Sequence, residues 1–453
     1  MKTKWINSLL VLAILFVTGC AGAPAPSPAT PTQTETTAPE PVPTQLPVEG
    51  NEIVFVSSEK TRDAAPVVPQ ADLEELVAGN NQFALDLYHS IKKGEGNLFY
   101  SPYSISLALA MTYAGARGNT AQEMAEALNF NLPAERLHPA FNKLDLALQS
   151  LGEDIPEDEE GRGFTLNIVN SIWGQEGYPF LPEFLDILAE NYAAGLNLMD
   201  FATEPEISRQ IINDWVMEQT NDRIEDLIPP GVIDALTRLV LVNAIYFNAG
   251  WASPFMEEFT QVEDFRLPDG NTVQAPMMKQ INMHGYSSGP GFQAVELPYY
   301  GYSTSMVILH PDLADFESFE SSLDADRFNE ILAGLNATNI NLSMPKFEFE
   351  MTLPVANALQ ELGMVDAFQE FQADFSGMDG TQELYIQDVL HKAFVAVDEE
   401  GTEAAAATAV VVGVTSAPMD PVEVKIDSPF IFLIRDRENG SILFVGRVLN
   451  PGS

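Results

Sequence analysis

The stretch that decides the fold lies near the C-terminus: Glu399-Glu400-Gly401-Thr402-Glu403-Ala404-Ala405-Ala406-Ala407-Thr408-Ala409-Val410-Val411-Val412-Gly413-Val414-Thr415-Ser416-Ala417-Pro418-Met419. Its first half suits a helix, because alanine leads the helix-propensity scale, and its second half is β-branched and suits a strand. Such a chain has two homes. As a strand it lines Thr402, Ala404, Ala406, Thr408, Val410, Val412 and Val414 along one face by the period of two. All are small or β-branched, so the strand can slide beneath a covering layer with no bulky group or buried charge in its way. Glu403 then points to the wetter face.

Read outward from this run, other segments share its setting. Glu399 through Thr408 resembles the hinge of an inhibitory serpin's reactive-centre loop. Asn97-Leu98-Phe99-Tyr100-Ser101-Pro102-Tyr103-Ser104-Ile105 is similar to an early motif of the same family, and Leu241-Val242-Asn243-Ala244-Ile245-Tyr246-Phe247-Asn248-Ala249-Gly250-Trp251 to another. His391-Lys392-Ala393 is similar to a third, and Pro429 to Ile434 with Phe444 to Pro451 to the closing one. The resemblance covers the chain from about Asn81 to Pro451.

The resemblance implies a mixed α+β serpin fold with a large central β-sheet, additional sheets, about nine helices and an exposed reactive-centre loop. It implies a suicide-substrate inhibitor of serine or cysteine endopeptidases, not an enzyme. The loop is offered as substrate; when cut it inserts into the large sheet and traps the acyl-enzyme, releasing a fold stored in a less stable state. Glu399, Gly401, Thr402, Glu403, Ala404, Ala405, Ala406, Ala407 and Thr408 are then the loop hinge. Ser101, Ser104, Asn243 and His391 match the family's polar cluster beneath the opening sheet, and Trp251 its tryptophan where the loop enters. Each of these, taken alone, reads more readily as an ordinary structural residue than as a functional one.

Counting from Glu399 by family spacing puts the scissile bond at Thr415-Ser416, with Val414 before it. Counting back from Val422-Glu423-Val424-Lys425-Ile426 lands near Pro418-Met419 instead. The hinge count is preferred, because the inserted length must match the sheet at about 3.3 Å per residue, whereas slack beyond the cut is absorbed elsewhere. Thr415 is small and uncharged, so the expected partner is a serine protease with a small apolar primary pocket, elastase-like or subtilisin-like. Some cysteine proteases also fit.

The N-terminus reads as an address. Met1-Lys2-Thr3-Lys4, the apolar run Trp5 to Val17 and Val17-Thr18-Gly19-Cys20 resemble a bacterial lipoprotein signal, with cleavage before a diacylated Cys20. The lone cysteine excludes a disulfide within the chain and multi-cysteine metal sites. Proline and threonine dominate after it, without large apolar side chains, as in a tether. The domains expected are a signal at 1–19, lipidated cysteine and tether at 20–72 and a serpin domain at 73–453. Such a protein is exported, and held by lipid at a bacterial membrane or cell surface or released from it; a monomer is expected.

The 453 residues carry 22 Lys+Arg against 65 Asp+Glu, a net charge of −43. That field repels nucleic-acid phosphates and anionic lipid and favours basic partners. No cofactor is expected. The five histidines, His89, His138, His284, His310 and His391, have no short metal-ligand spacing. The acidic run Glu153 to Glu160 reads as a solvated loop.

Coarse periodicity predicts helices over Asn81 to Ile91, from Ser101-Pro102 to Gly115 and over Ile207 to Leu227, and strands at Phe164 to Trp173, Leu239 to Phe247 and Ile442 to Val448. Thr120-Ala121-Gln122-Glu123 has capping-box spacing and should open a helix ending near Asn129. Folding is expected to start near Leu73 to Val77 after a transitional stretch from Ile53 to Val68.

Three rivals have weaker support. Gly285-Tyr286-Ser287-Ser288-Gly289 matches a hydrolase nucleophile elbow, but Gly289-Pro290-Gly291 starts no helix after it. A lipid-anchored ligand-binding protein explains the signal and tether but not the alanine-rich hinge. A non-inhibitory serpin would favour charged, bulky or proline-containing hinge residues, and Thr402 to Thr408 holds no proline.

Overall fold

The computed structural model describes residues 53–93, 96–151, 163–220, 222–402 and 420–452. Cys20, Glu403, Ala404 to Ala407, Thr408, Thr415, Ser416 and the acidic run lie outside the described residues.

The chain opens with β1 (Val54–Val56), α1 (Gln70–Ile91), β2 (Leu98–Tyr100), α2 (Pro102–Tyr113), α3 (Gly118–Ala127) and α4 (Ala134–Ser150). Then come β3 (Phe164–Gln175), α5 (Pro182–Tyr192), β4 (Leu196–Met199), α6 (Pro205–Gln219), β5 (Leu239–Gly250), β6 (Gln261–Arg266) and β7 (Thr272–Gly289). The series continues with β8 (Phe292–Pro298), β9 (Thr304–Pro311), α7 (Phe316–Ser321), α8 (Ala325–Ala333), β10 (Asn336–Pro345), β11 (Phe347–Pro354), α9 (Ala356–Glu361) and α10 (Ser376–Asp379). It closes with β12 (Val389–Val397), β13 (Gly401–Thr402), β14 (Val422–Lys425), β15 (Phe430–Asp436) and β16 (Ile442–Val448). Ten α-helices thus stand among the described residues.

Seven strands form the large sheet in the order β1-β4-β3-β5-β13-β12-β11. Nine form a second sheet, β14-β10-β7-β8-β9-β15-β16-β2 with β6 beside β7. The further sheets expected are hydrogen-bonded into one, because the 18-residue β7 pairs with β6 at one end, β10 along its middle and β8 at the other end. Between the two sheets lies the main core, built from α2, the inward residues of β5 and β12 and the apolar strands β15 and β16. A smaller core lies on the outer face of the large sheet, where Ile212 and Val216 of α6, with Ile224, Leu227 and Ile228 after it, cover Val240, Val242, Ala244 and Leu390. Period-two alternation explains the two sets: odd residues of β5 from Leu241 face one core and even ones the other.

Several expectations need correction. The folded body starts well before Leu73. Val54–Val56 pairs antiparallel with β4 at the sheet edge, because Ile53-Val54-Phe55-Val56 is β-branched and aromatic and finds an open ladder there. The following residues are strapped to α5 and α4: Lys60 pairs with Asp186 (3.1 Å) and Glu190 (2.9 Å), and Arg62 with the buried Asp145 (2.7 Å). Part of the stretch expected as tether at 20–72 is therefore a strand of the large sheet and the segment after it.

The Thr120–Glu123 pair caps nothing in its own helix. α3 starts earlier, at Gly118, and Thr120 Oγ1 accepts from the Asp374 N–H while Glu123 Oε2 accepts from those of Val365 and Asp366. α6 ends at Gln219, not Leu227, because Thr220 turns its hydroxyl back to the Val216 carbonyl, and Asn213 then holds both the N–H and C=O of Ile228 in the irregular segment that follows. The serine of Gly285–Gly289 sits inside β7 in a continuous ladder with β8, without the strand-to-helix turn a nucleophile elbow needs.

Candidate functional site: the split in the large sheet

β5 and β12 run parallel and pair from Val389↔Leu241 to Ala393↔Ile245. Beyond that pair they part. At the top the two-residue β13 is wedged between them, with Thr402 antiparallel to both Ala249 of β5 and Val397 of β12. Among the described residues, Tyr246 to Asn248 and Phe394 to Ala396 have no ladder partner across the resulting gap.

A tight reversal leads from β12 into β13. Asp398 accepts through Oδ1 from the N–H groups of Glu400 (2.9 Å) and Gly401 (3.2 Å), and its own N–H donates to the Gly401 carbonyl (3.0 Å). Gly401 is required, since a Cβ there would lie 2.2 Å from the Ala249 carbonyl oxygen. Thr402 is 1% exposed, and its hydroxyl shares a 2.7 Å hydrogen bond with the Tyr299 hydroxyl. Trp251 stacks on Tyr299, ring centroids 4.6 Å apart and 9° from parallel. Its indole N–H donates to the Asp398 carbonyl (3.0 Å) and its backbone N–H to that of Glu400 (2.7 Å). The buried Glu399 carboxylate takes Lys346 (2.5 Å) and the Thr260 hydroxyl (2.6 Å). Burial pushes this carboxyl up, but hydrogen bonds from Lys346 and Thr260 outweigh it and hold the group below its ordinary range.

At the base of the split the polar residues converge. His391 of β12 and Asn243 of β5 are direct ladder partners. The Ser101 N–H donates to His391 Nε2 (3.0 Å), so the ring proton is on Nδ1 and is donated to Asn243 Oδ1. Asn243 Nδ2 donates to Ser104 Oγ (2.7 Å) and Asn170 Oδ1 (2.5 Å). Ser101 is the N-cap of α2: its Oγ accepts from the Ser104 N–H (3.2 Å) and donates to the Leu443 carbonyl (2.7 Å). The network therefore ties β3, β5, β12, β16 and α2 together. On the other face of β12, Lys392 Nζ donates to the Glu225 carbonyl (2.8 Å), fastening the segment after α6 across the sheet.

Of the residues singled out from the sequence, Ser101, Ser104, Asn243 and His391 meet in one cluster, and Glu399, Gly401, Thr402 and Trp251 in another. Sequence reading missed Asn170, Thr260, Tyr299, Lys346 and Asp398. Only Asp398 carried a signal, as an Asx-turn former one residue before the Glu-Glu-Gly run.

Full burial holds His391 neutral, with its pKa lowered from 6.5 to about 3. His138, His284 and His310 are likewise lowered by burial to about 4. These folded pKa values lie below the unfolded one, so the unfolded chain binds protons first and stability falls with pH from about 6.5 toward 4. Each histidine contributes up to about 1.4 kcal/mol per pH unit. The thermal midpoint should therefore drop steadily between pH 7 and about 5.5, above the range where free carboxylates titrate. A flat profile in calorimetry would contradict the neutral cluster.

A family model described as Serpin (serine protease inhibitor) matches residues 78–451. An uncharacterized serpin-like protein of Thermococcus kodakarensis is 41% identical over 388 residues, which cover 85% of this chain and 88% of that protein. The leukocyte elastase inhibitor of Homo sapiens is 40% identical over 391 residues, covering 84% of this chain and 100% of the inhibitor. Among solved structures, the thermophilic serpin tengpin in its native state aligns with a TM-score of 0.77 at 28% identity, covering 88% of this chain and 100% of tengpin. Uncleaved ovalbumin aligns at 0.74 and 28% identity, covering 83% of this chain and 100% of ovalbumin. The family match over residues 78–451, with relatives of this identity along nearly their full length, means that the chain belongs to the serpin (serine protease inhibitor) family.

Proposed function

We propose that this serpin is inhibitory: a serine endopeptidase cuts its reactive-centre loop, and the loop then inserts between β5 and β12 before the acyl-enzyme can be hydrolysed. The observation that carries the reading is the seat of Thr402, already inside the mouth of a sheet parted just below it.

Register supports the path. Six residues past Thr402 on the loop correspond to six before Ala249 on β5 and six before Val397 on β12, which brings Thr408 opposite both Asn243 and His391. Insertion would thus break the direct Asn243–His391 contact and set a small hydroxyl residue in its stead, on the face that Thr402 already presents to Tyr299. Continued to Leu239, where β5 starts, the same register ends at Val412. A scissile bond at Thr415-Ser416 lies just past that limit, which favours the count from the hinge.

Thr415 gives the target its chemistry: a small apolar primary pocket, as in elastase-like and subtilisin-like proteases, with cysteine endopeptidases of similar pocket a lesser class. The leukocyte elastase inhibitors among the relatives fit this reading. Export belongs with it, since a lipid on Cys20 followed by a proline- and threonine-rich tether would hold the inhibitor at the membrane where it meets proteases, foreign or the cell's own.

Incubation with elastase, subtilisin and trypsin, followed by denaturing electrophoresis, tests the reading. A complex stable in SDS with the first two is expected, and mass spectrometry of the released C-terminal peptide should begin at Ser416. Cleavage without any stable complex would place the protein with non-inhibitory relatives. A cut outside Val412 to Ala417 would overturn the assigned bond.

A further inference from the structure

The outward face of β7, β10 and β14 was not part of the expected site. On it Ile281 and Met283, two residues apart on β7, are 63% and 57% exposed. Ile281 pairs across the ladder with Asn341 of β10 and Met283 with Asn339; Asn341 in turn pairs with Glu423 of β14. Asn341 Nδ2 donates to both Glu423 carboxylate oxygens, at 3.1 and 3.0 Å. An apolar pair, an amide row and a carboxylate therefore run side by side toward the strand that follows the reactive loop. Strand spacing puts Ile281 roughly 10 Å from Glu423.

We propose that this face docks the body of the target protease, and that the protease it fits presents an apolar contact within a positively charged rim. The proposal rests on the inhibitory reading for the identity of its partner. Ser416 is four residues from the exposed Asp420, so full extension allows the cleft no more than about 15 Å from it. A protease domain of about 200 residues is roughly 40 Å across, so its body must overhang β14 and its neighbours. Eight or so loop residues alone fall short of the ~800 Å² per partner that a stable interface buries.

Charge selects the occupant. Both nearby lysines, Lys279 and Lys425, are already paired with Glu263. Glu423, Asp420 and Asp264 stay exposed, on a chain whose net charge is −43. A second copy carries the same charge and is repelled, whereas a cationic protease is drawn in.

The test uses leukocyte elastase and subtilisin, each with its catalytic serine replaced by alanine so that encounter is measured without cleavage. Against the full chain, Ile281→Asp with Met283→Asp should raise Kd at least about tenfold for whichever of them is cationic. Its thermal midpoint should stay unchanged, since neither side chain is buried. Added NaCl should weaken binding of the parent, and Glu423→Lys should flatten that salt dependence. Equal Kd in parent and double variant overturns the proposal, as does binding of neither silenced protease. So does self-association of the parent that the double variant loses, which would make the face a dimer contact. If active elastase cuts the parent yet leaves no SDS-stable complex while the double variant still binds silenced elastase more weakly, the inhibitory reading fails and the docking surface stands.

Discussion

Thr402→Arg is expected to abolish trapping while leaving the loop cleavable. The Thr402 side chain is 1% exposed, bonded to the Tyr299 hydroxyl and enclosed beside the Trp251–Tyr299 stack. Burial also raises the Tyr299 pKa well beyond the usual phenol range, so that hydroxyl stays neutral and offers a guanidinium no counter-charge. An unpaired guanidinium there costs several kcal/mol by order of magnitude, enough to slow insertion manyfold relative to deacylation. The protease then completes hydrolysis and leaves, so the moles of inhibitor consumed per mole of protease trapped should rise about tenfold or more. Thr402→Ala, which adds no charge, should retain trapping and so separates the effect from a general loss of fold. If Thr402→Arg traps elastase as well as the parent does, insertion through this gap is not the mechanism.

Cutting the loop should raise the thermal midpoint by about 10 °C or more. Register allows the loop to fill the sheet from Thr402 to Val412. Each net backbone hydrogen bond contributes about 1 kcal/mol and each buried valine roughly 1.5–3 kcal/mol. Ten new sheet residues hydrogen-bonded on both sides, with Val410 and Val412 turned inward, less the short β5–β12 ladder they displace and the ordering of the loop, therefore release on the order of 10 kcal/mol. For a body of several hundred residues the unfolding entropy converts this at roughly 0.8 kcal/mol per degree. Calorimetry of intact and loop-nicked protein measures the shift, and equal midpoints would mark a serpin whose loop stays out. The same measurement on a Thr408→Asp variant probes the base of the split, because a carboxylate set between Asn243 and His391 should remove much of the gain.

The two clusters were unequally legible. Motif resemblance brought Ser101, Ser104, Asn243 and His391 into one group, and in the structure they join through hydrogen bonds, among them the 2.7 Å Asn243–Ser104 contact. The strand at β3 was expected, but that its Asn170 joins them went unseen, because it is an asparagine in an otherwise ordinary alternating strand. Thr402 was marked for a future interior position by its parity; that it already occupies one in the uncut chain depended on Tyr299, 103 residues away. Glu399 was assigned to the hinge, but its pairing with Lys346 and Thr260 gave no sign in sequence.

What the sequence determined by itself is the set of local properties: side-chain size, charge and alternation over consecutive residues. These suffice for the small-residue strand that can slide from Thr402 onward and for the apolar β5, β15 and β16. Tertiary structure alone decided where that strand enters, how far β5 and β12 stay zipped, and that Val54–Val56 extends the sheet. It also turned Thr120 and Glu123 from a local cap to distant backbone, and left α6 to end at Gln219. The reason is the same in each case. A hydrogen-bonding group or an open sheet edge takes whichever partner the folded chain brings within about 3 Å, and that partner's position is set by packing hundreds of residues away.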